Sequence, residues 1–228
     1  MQSEATPEKY PEVTHSLVSP QISLPLSTLP PQPLKLGILA SGSGSNFETI
    51  AQAIASKELN AQIQVMVYNK PSAKAAERAD RLGIPKVLLN HREYPSREAL
   101  DQAIIQVMQQ QQVEWIIMAG WMRIVTEVLI NAFPRRILNI HPSLLPSFPG
   151  VNAVEQALAA KVKITGCTVH FAELEVDRGP IVMQAAVPVF PDDTSKTLHA
   201  RIQAQEHLIY PRAIALAASQ ASSEQASR

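Results

Sequence analysis

The run Trp115-Ile116-Ile117-Met118-Ala119 has no polar side to turn toward water. A strand that is apolar on both faces has to be covered on both, the condition of a strand inside a parallel sheet flanked by helices. Leu36-Gly37-Ile38-Leu39-Ala40, Ile63 to Tyr68, Ile84 to Leu89 and Arg136 to Ile140 are further strand candidates. Between them lie stretches with helical spacing. Asn46 to Ser56 places Ile50 and Ile54 four apart, Ser72 to Leu82 is closed by Gly83, and Ser96 opens a helix with Leu100, Ile104, Val107 and Met108 on one face. Thr126 to Phe133 reads as a short helix. This strand-helix rhythm predicts an open, mostly parallel, twisted α/β sheet with helices on both sides. The later part changes character. After a helix over Val154 to Ala160, Lys163 to Phe171 and Ile181 to Val189 read as strands close enough to pair antiparallel. A last helix runs from Thr194 to Ala218, with Pro211 expected to kink or interrupt it.

The first 34 residues do not fit this rhythm. They hold seven of the 18 prolines, four charges and no glycine. Such a stretch cannot offset its ordering entropy by burial, so residues 1–34 are expected to form a disordered arm and 35–218 the folded domain. Residues 219–228 are expected to form a flexible tail. The arm has neither the basic start nor the apolar stretch of a secretory signal. Lys and Arg total 20 and Asp and Glu total 20, so no basic excess supports a broad nucleic-acid face. No apolar run approaches the ~20 residues that span a bilayer. The single cysteine, Cys167, allows no disulfide framework. These features together point to a cytoplasmic protein without nucleic-acid or membrane partners.

Two segments carry chemistry. Ser41-Gly42-Ser43-Gly44-Ser45-Asn46 follows the first strand and opens the first helix. Glycines allow positive φ and close backbone approach, and helix N-terminal amides favour an anion. The loop is not a dinucleotide fingerprint: Phe47 stands where the third glycine belongs, and Asn69 follows the second strand in place of an acid. It reads either as a phosphate cradle or as a tight turn with Ser45 or Asn46 capping the helix. In the second segment, Asn139 and His141 share one side of a strand at its C-terminal end, where ligands bind in open α/β sheets. An amide donor beside an imidazole can stabilise an oxyanion and move a proton, and it can equally be a capped sheet edge. Asp177, in the turn between the last two strands, can orient His141 and pass protons, and it can equally be an ordinary turn aspartate. The six histidines form no metal-binding pattern, and His170 reads as structural.

Taken together, these motifs resemble the phosphoribosylglycinamide formyltransferases, a branch of the folate-dependent formyltransferases with a Rossmann-like fold. The resemblance runs through Ser41 to Asn46, Ala119-Gly120-Trp121-Met122-Arg123-Ile124, and Asn139-Ile140-His141-Pro142-Ser143-Leu144-Leu145-Pro146. It continues through Gly166 to Phe171, Val176 to Ile181 and Gln205-Glu206-His207. It implies formyl transfer from 10-formyltetrahydrofolate, as co-substrate, to the amine of glycinamide ribonucleotide in purine biosynthesis. It makes Asn139, His141 and Asp177 the catalytic set. Gly44, Ser45, Asn46 and Glu206 would bind the ribonucleotide, and Arg97, Met122, Arg123, Ile124, Val125 and Asn139 the folate. It implies no metal, and a monomer or homodimer acting on small molecules. Relatives that act on methionyl-tRNA carry a second domain, and those that hydrolyse formyltetrahydrofolate carry a regulatory one; neither is expected here. One departure is Arg178, which follows Asp177 where relatives often have a small residue; it is expected to point to solvent.

Overall fold

Alternation decides which side of the sheet each residue covers. In the computed structural model, which describes residues 17–21 and 32–226, strand β2 (Leu34–Ala40) sends Leu36, Ile38 and Ala40 to one core and Leu39 to a second. Strand β5 (Trp115–Met118) does the same, with Trp115 and Ile117 on one side and Ile116 and Met118 on the other. This is the period-two pattern of a strand buried on both faces. The first core is covered by helices α1 (Ser45–Ala55), α2 (Ala75–Leu82), α5 (Ala153–Ala159) and α6 (Ser195–Ala226), through residues such as Phe47, Ala79, Val154 and Ile202. The second is covered by α3 (Arg97–Gln110) and α4 (Glu127–Ala132), through Leu100, Ile104 and Leu129.

The remaining strands are β1 (Leu17–Ser19), β3 (Ala61–Tyr68), β4 (Lys86–Leu88), β6 (Ile137–His141), β7 (Ile164–Phe171) and β8 (Ile181–Pro188). The sheet order is β1-β8-β7-β6-β5-β2-β3-β4. Strands β2 to β6 pair in parallel, while β6-β7, β7-β8 and β1-β8 are antiparallel. The expected fold class is thus observed. The chain winds outward from β2 through β3 to β4, then returns to β5 on the other flank of β2. A reversal of this kind opens a crevice at the strands' C-terminal ends, here between β2 and β5.

Three findings differ from expectation. Residues 17–19, placed by composition in a disordered arm, pair with β8. An edge strand leaves a row of unpaired amides and carbonyls, and Val18 adds partial burial against the first core. The rest of the arm lies outside the described residues, apart from 20–21 and 32–34. Helix α6 continues through Pro211, which is buried, without interruption. It also runs past Ala218 to Ala226, so the expected tail is helical over most of its length, and 227–228 lie outside the described residues.

Candidate active site

Strand β6 carries Asn139 and His141 to the sheet's C-terminal edge, and β7 sets His170 directly opposite Asn139. The turn before β8 brings in Asp177, held at φ 57°, a left-handed conformation that aspartate tolerates better than most residues. Asp177 Oδ2 lies 3.4 Å from His141 Nδ1 and accepts from the Gly150 amide at 2.7 Å, while Oδ1 lies 3.6 Å from His170 Nε2. Burial raises the affinity of this carboxyl for a proton. The His170 imidazole, the Gly150 amide and the charge of His141 together outweigh that and hold it below the usual aspartate range. Both readings of Asp177 from the sequence meet here: it is in a turn, and it faces two imidazoles.

Carbonyl partners fix both rings. His141 Nε2 lies 2.8 Å from the Phe148 carbonyl, and a carbonyl only accepts, so Nε2 carries a proton and Nδ1 faces Asp177. His170 Nδ1 lies 2.8 Å from the Phe171 carbonyl, leaving its Nε2 to accept from Asn139 Nδ2 at 3.2 Å. That bond orients the Asn139 amide and leaves its second N–H free to point elsewhere. His170, read from the sequence as structural, thus belongs to the cluster; the register that pairs it with Asn139 is what the sequence did not disclose. A buried network supports the loop after His141. Thr168 donates to the Ser143 carbonyl at 2.7 Å and accepts from the Leu145 amide at 3.0 Å, and Gln184 donates to the Leu145 carbonyl at 3.0 Å.

Asn139, His141, His170 and Asp177 line a cavity of about 410 Å³, whose other wall includes Trp121, Met122, Arg123, Ile124 and Val125. Met122 and Ile124 are 69% and 50% exposed, which suits an apolar wall that waits for a flat ring. Arg123 Nε and Trp121 Nε1 are buried with no hydrogen-bond partner among the described residues. Arg97, by contrast, is an exposed residue in the first turn of α3 and does not line this cavity.

The glycine loop sits beside the cavity rather than in it. Gly44, at φ 74°, is itself the N-cap of α1. Ser45 and Asn46 are therefore not caps. Ser45 Oγ accepts from Gln203 at 3.1 Å, and Asn46 Nδ2 donates to Glu206 at 2.9 Å. Burial pushes the Glu206 carboxyl up despite the Asn46 bond. Gln203 was not singled out from the sequence, although it lies three residues before Glu206 on the same helix. Arg78 reaches the loop from α2, donating to the Ser43 carbonyl at 2.8 Å and pairing with Glu48. Arg178 lies half-exposed, 3.4 Å from Glu175, and turns away from Asp177 as expected. Among the described residues, no group of three or more His, Cys, Asp or Glu side chains could hold a metal ion.

A family profile described as "Formyl transferase" matches residues 34–214, nearly the whole described domain. The chain belongs to the formyl transferase family. Within it, the chain is 42% identical over 180 residues to the phosphoribosylglycinamide formyltransferase of Bacillus subtilis, covering 79% of this chain and 92% of the relative. It is also 42% identical to part of the human trifunctional purine biosynthetic protein adenosine-3, where the match spans 81% of this chain and 18% of that protein. Among solved structures, glycinamide ribonucleotide transformylase 1 from Symbiobacterium toebii superimposes with a TM-score of 0.81 at 45% identity, over 82% of this chain and 89% of that one. In this formyl transferase the Asn-x-His pair lines a cavity large enough for a ring system.

Proposed function

We propose that this formyl transferase moves the formyl group of 10-formyltetrahydrofolate to the amine of glycinamide ribonucleotide. The observation that carries the reading is the convergence of Asn139, His141 and Asp177 in one cavity whose far wall is Met122 to Val125. The folate ring stacks along that wall. The ribonucleotide phosphate rests on the amides at Gly44, Ser45 and Asn46, and Glu206 accepts from the ribose. The amine nitrogen attacks the formyl carbon and its carbonyl oxygen becomes an oxyanion. The free N–H of Asn139 stabilises that oxyanion, at about 3–4 kcal/mol, and His141 Nδ1 adds a second donor when it takes up the proton that Asp177 relays. Asp177, held ionised, orients the His141 ring and takes the amine proton through water. The C–N bond to the folate then breaks, and the proton goes to the folate nitrogen. This function accompanies a cytoplasmic setting and a monomer or homodimer, without a metal or a nucleic-acid partner.

The test is an acceptor comparison. With 10-formyltetrahydrofolate supplied, turnover is expected with glycinamide ribonucleotide and not with methionyl-tRNA or water. Changing His141 to Ala should lower kcat at least ~100-fold while ribonucleotide binding by calorimetry stays within about threefold. Fast folate hydrolysis without an acceptor defeats the proposal.

A further inference from the structure

The turn leaving β5 is fastened at two points. At its start, the Ser41 amide donates to the Gly120 carbonyl at 3.0 Å, and Ser41 Oγ accepts from the Met122 amide at 2.9 Å. At its end, Asp101 Oδ2 on α3 accepts from the Thr126 amide at 2.6 Å, immediately before α4. Both anchors are buried, Ser41 at 3% exposure and Asp101 at 2%. Between them, no described residue hydrogen-bonds the backbone amides of Arg123, Ile124 or Val125. The conformation of that stretch therefore rests on its two ends and on the burial of Trp121 and Val125.

Ser41 belongs by sequence to the glycine loop, yet the loop divides. The Ser43 carbonyl accepts from Arg78 on α2, while Ser45 and Asn46 engage Gln203 and Glu206 on α6. Only Ser41 reaches across the crevice to the other wall. We infer that Ser41 and Asp101 are positioning residues of the wall formed by Met122 to Val125, and that Ser41 acts on the folate rather than on the ribonucleotide. The assignment of the two ligands rests on the function proposed above; the anchoring itself does not.

Removing one anchor frees a backbone amide and lets the stretch sample other conformations, so the folate should lose affinity by about tenfold, the scale of one hydrogen bond. Three variants test this: Ser41→Ala, Asp101→Ala and Asp101→Asn. Steady-state kinetics with both substrates should show the folate KM raised about tenfold in the two alanine variants, with kcat and the ribonucleotide KM within about twofold of wild type. Asp101→Asn, whose side-chain oxygen can still accept from Thr126, should recover most of the loss. In the unliganded protein, amide exchange followed by NMR should quicken at Met122 in Ser41→Ala and at Thr126 in Asp101→Ala. A selective rise in the ribonucleotide KM on Ser41→Ala overturns the inference, as does a fall in kcat with both KM values unchanged. If the wild type transfers no formyl group to the ribonucleotide, the proposed function fails separately. Unchanged Met122 exchange in Ser41→Ala overturns the anchoring in any case.

Discussion

Gly42 and Gly44 stand two residues apart, and the structure gives them opposite tolerances. A Cβ built on Gly44 lies 2.8 Å from both Cα and Cβ of Ala75, whereas one on Gly42 meets nothing within 4 Å. Gly44 also needs φ 74°. Alanine at 44 then costs about 1–2 kcal/mol for the left-handed backbone and about 1–3 kcal/mol for the overlap, or roughly 2–5 kcal/mol in sum. Which side yields decides what an assay sees. Ala75 is fully buried, and its amide is tied to the Gly42 carbonyl at 3.1 Å, while Gly42 and Ser43 are exposed. The loop therefore moves and α2 stays. Displacing the loop amides from a phosphate forfeits charge-assisted hydrogen bonds of about 1.5–3 kcal/mol each. Losing one corresponds to about a 10- to 150-fold rise in ribonucleotide KM, at ~1.4 kcal/mol per factor of ten. Because the loop yields, the melting temperature should fall by only a few degrees, toward the low end of the roughly 4–20 °C that a fully transmitted strain would give at about 2–4 °C per kcal/mol. Kinetics and calorimetric melting of Gly42→Ala and Gly44→Ala give the answer together. Equal ribonucleotide KM values in the two variants, or a Gly44→Ala loss confined to melting temperature, would refute the argument that this backbone cradles the phosphate.

Arg123→Ala should raise the folate KM and leave the ribonucleotide KM alone, since its buried Nε lines the cavity wall and not the glycine loop; the reverse selectivity would exchange the two walls. Glu206→Gln should gain in melting temperature relative to wild type as pH rises. Burial raises the folded-state pKa of Glu206, so its stabilisation is complete below the unfolded value of about 4.3 and declines as pH climbs through the folded one. A variant that melts progressively lower than wild type toward pH 8 would contradict that sign. Removing residues 1–21 should lower the melting temperature by a few degrees, through loss of the β1 pairing and partial burial of Val18, without altering either KM; an unchanged melting curve would mean the pairing contributes nothing.

Periodicity made the sheet legible because each buried strand obeys a local rule. Strands β2, β3 and β5 are legible as apolar runs between helical stretches, and Ser96 announces α3 by accepting from the Ala99 amide at 3.1 Å. Pairing across the sheet is not local. Composition alone sent residues 17–19 to a disordered arm, because three residues with one half-buried valine leave no periodic trace. What orders them is the open edge of β8, a partner more than 160 positions away. For a related reason, Pro211 does not interrupt its helix. Its missing amide removes one helix bond, but α6 is held by its buried face, where Ile209, Tyr210 and Ala213 are fully covered, and the Tyr210 hydroxyl reaches the carbonyls of Met118 and Leu138.

The site divides along the same line. Asn139 and His141 could be paired from the sequence because two residues on one strand share a side by geometry alone. His170 could not be joined to them without the β6-β7 register, and Asp177 joins them by resemblance, since spacing alone does not show the turn that aims it. The tautomer of His141 depends on something further removed still, the carbonyl of Phe148, which has no side-chain signature. Backbone groups of this kind do much of the site's positioning. The Phe148 carbonyl sets which ring nitrogen faces Asp177, the Gly150 amide helps keep Asp177 ionised, and the Met122 amide ties the cavity wall to Ser41. Side-chain replacement at Phe148 would leave its carbonyl in place, so alanine scanning would miss it. The network that aims that carbonyl is open to replacement, however: Ser143, fully buried, donates to the Ser147 carbonyl at 2.5 Å. Chemistry in this fold is thus specified twice, once by side chains that a motif reveals and once by main-chain atoms that only the folded loops bring to bear.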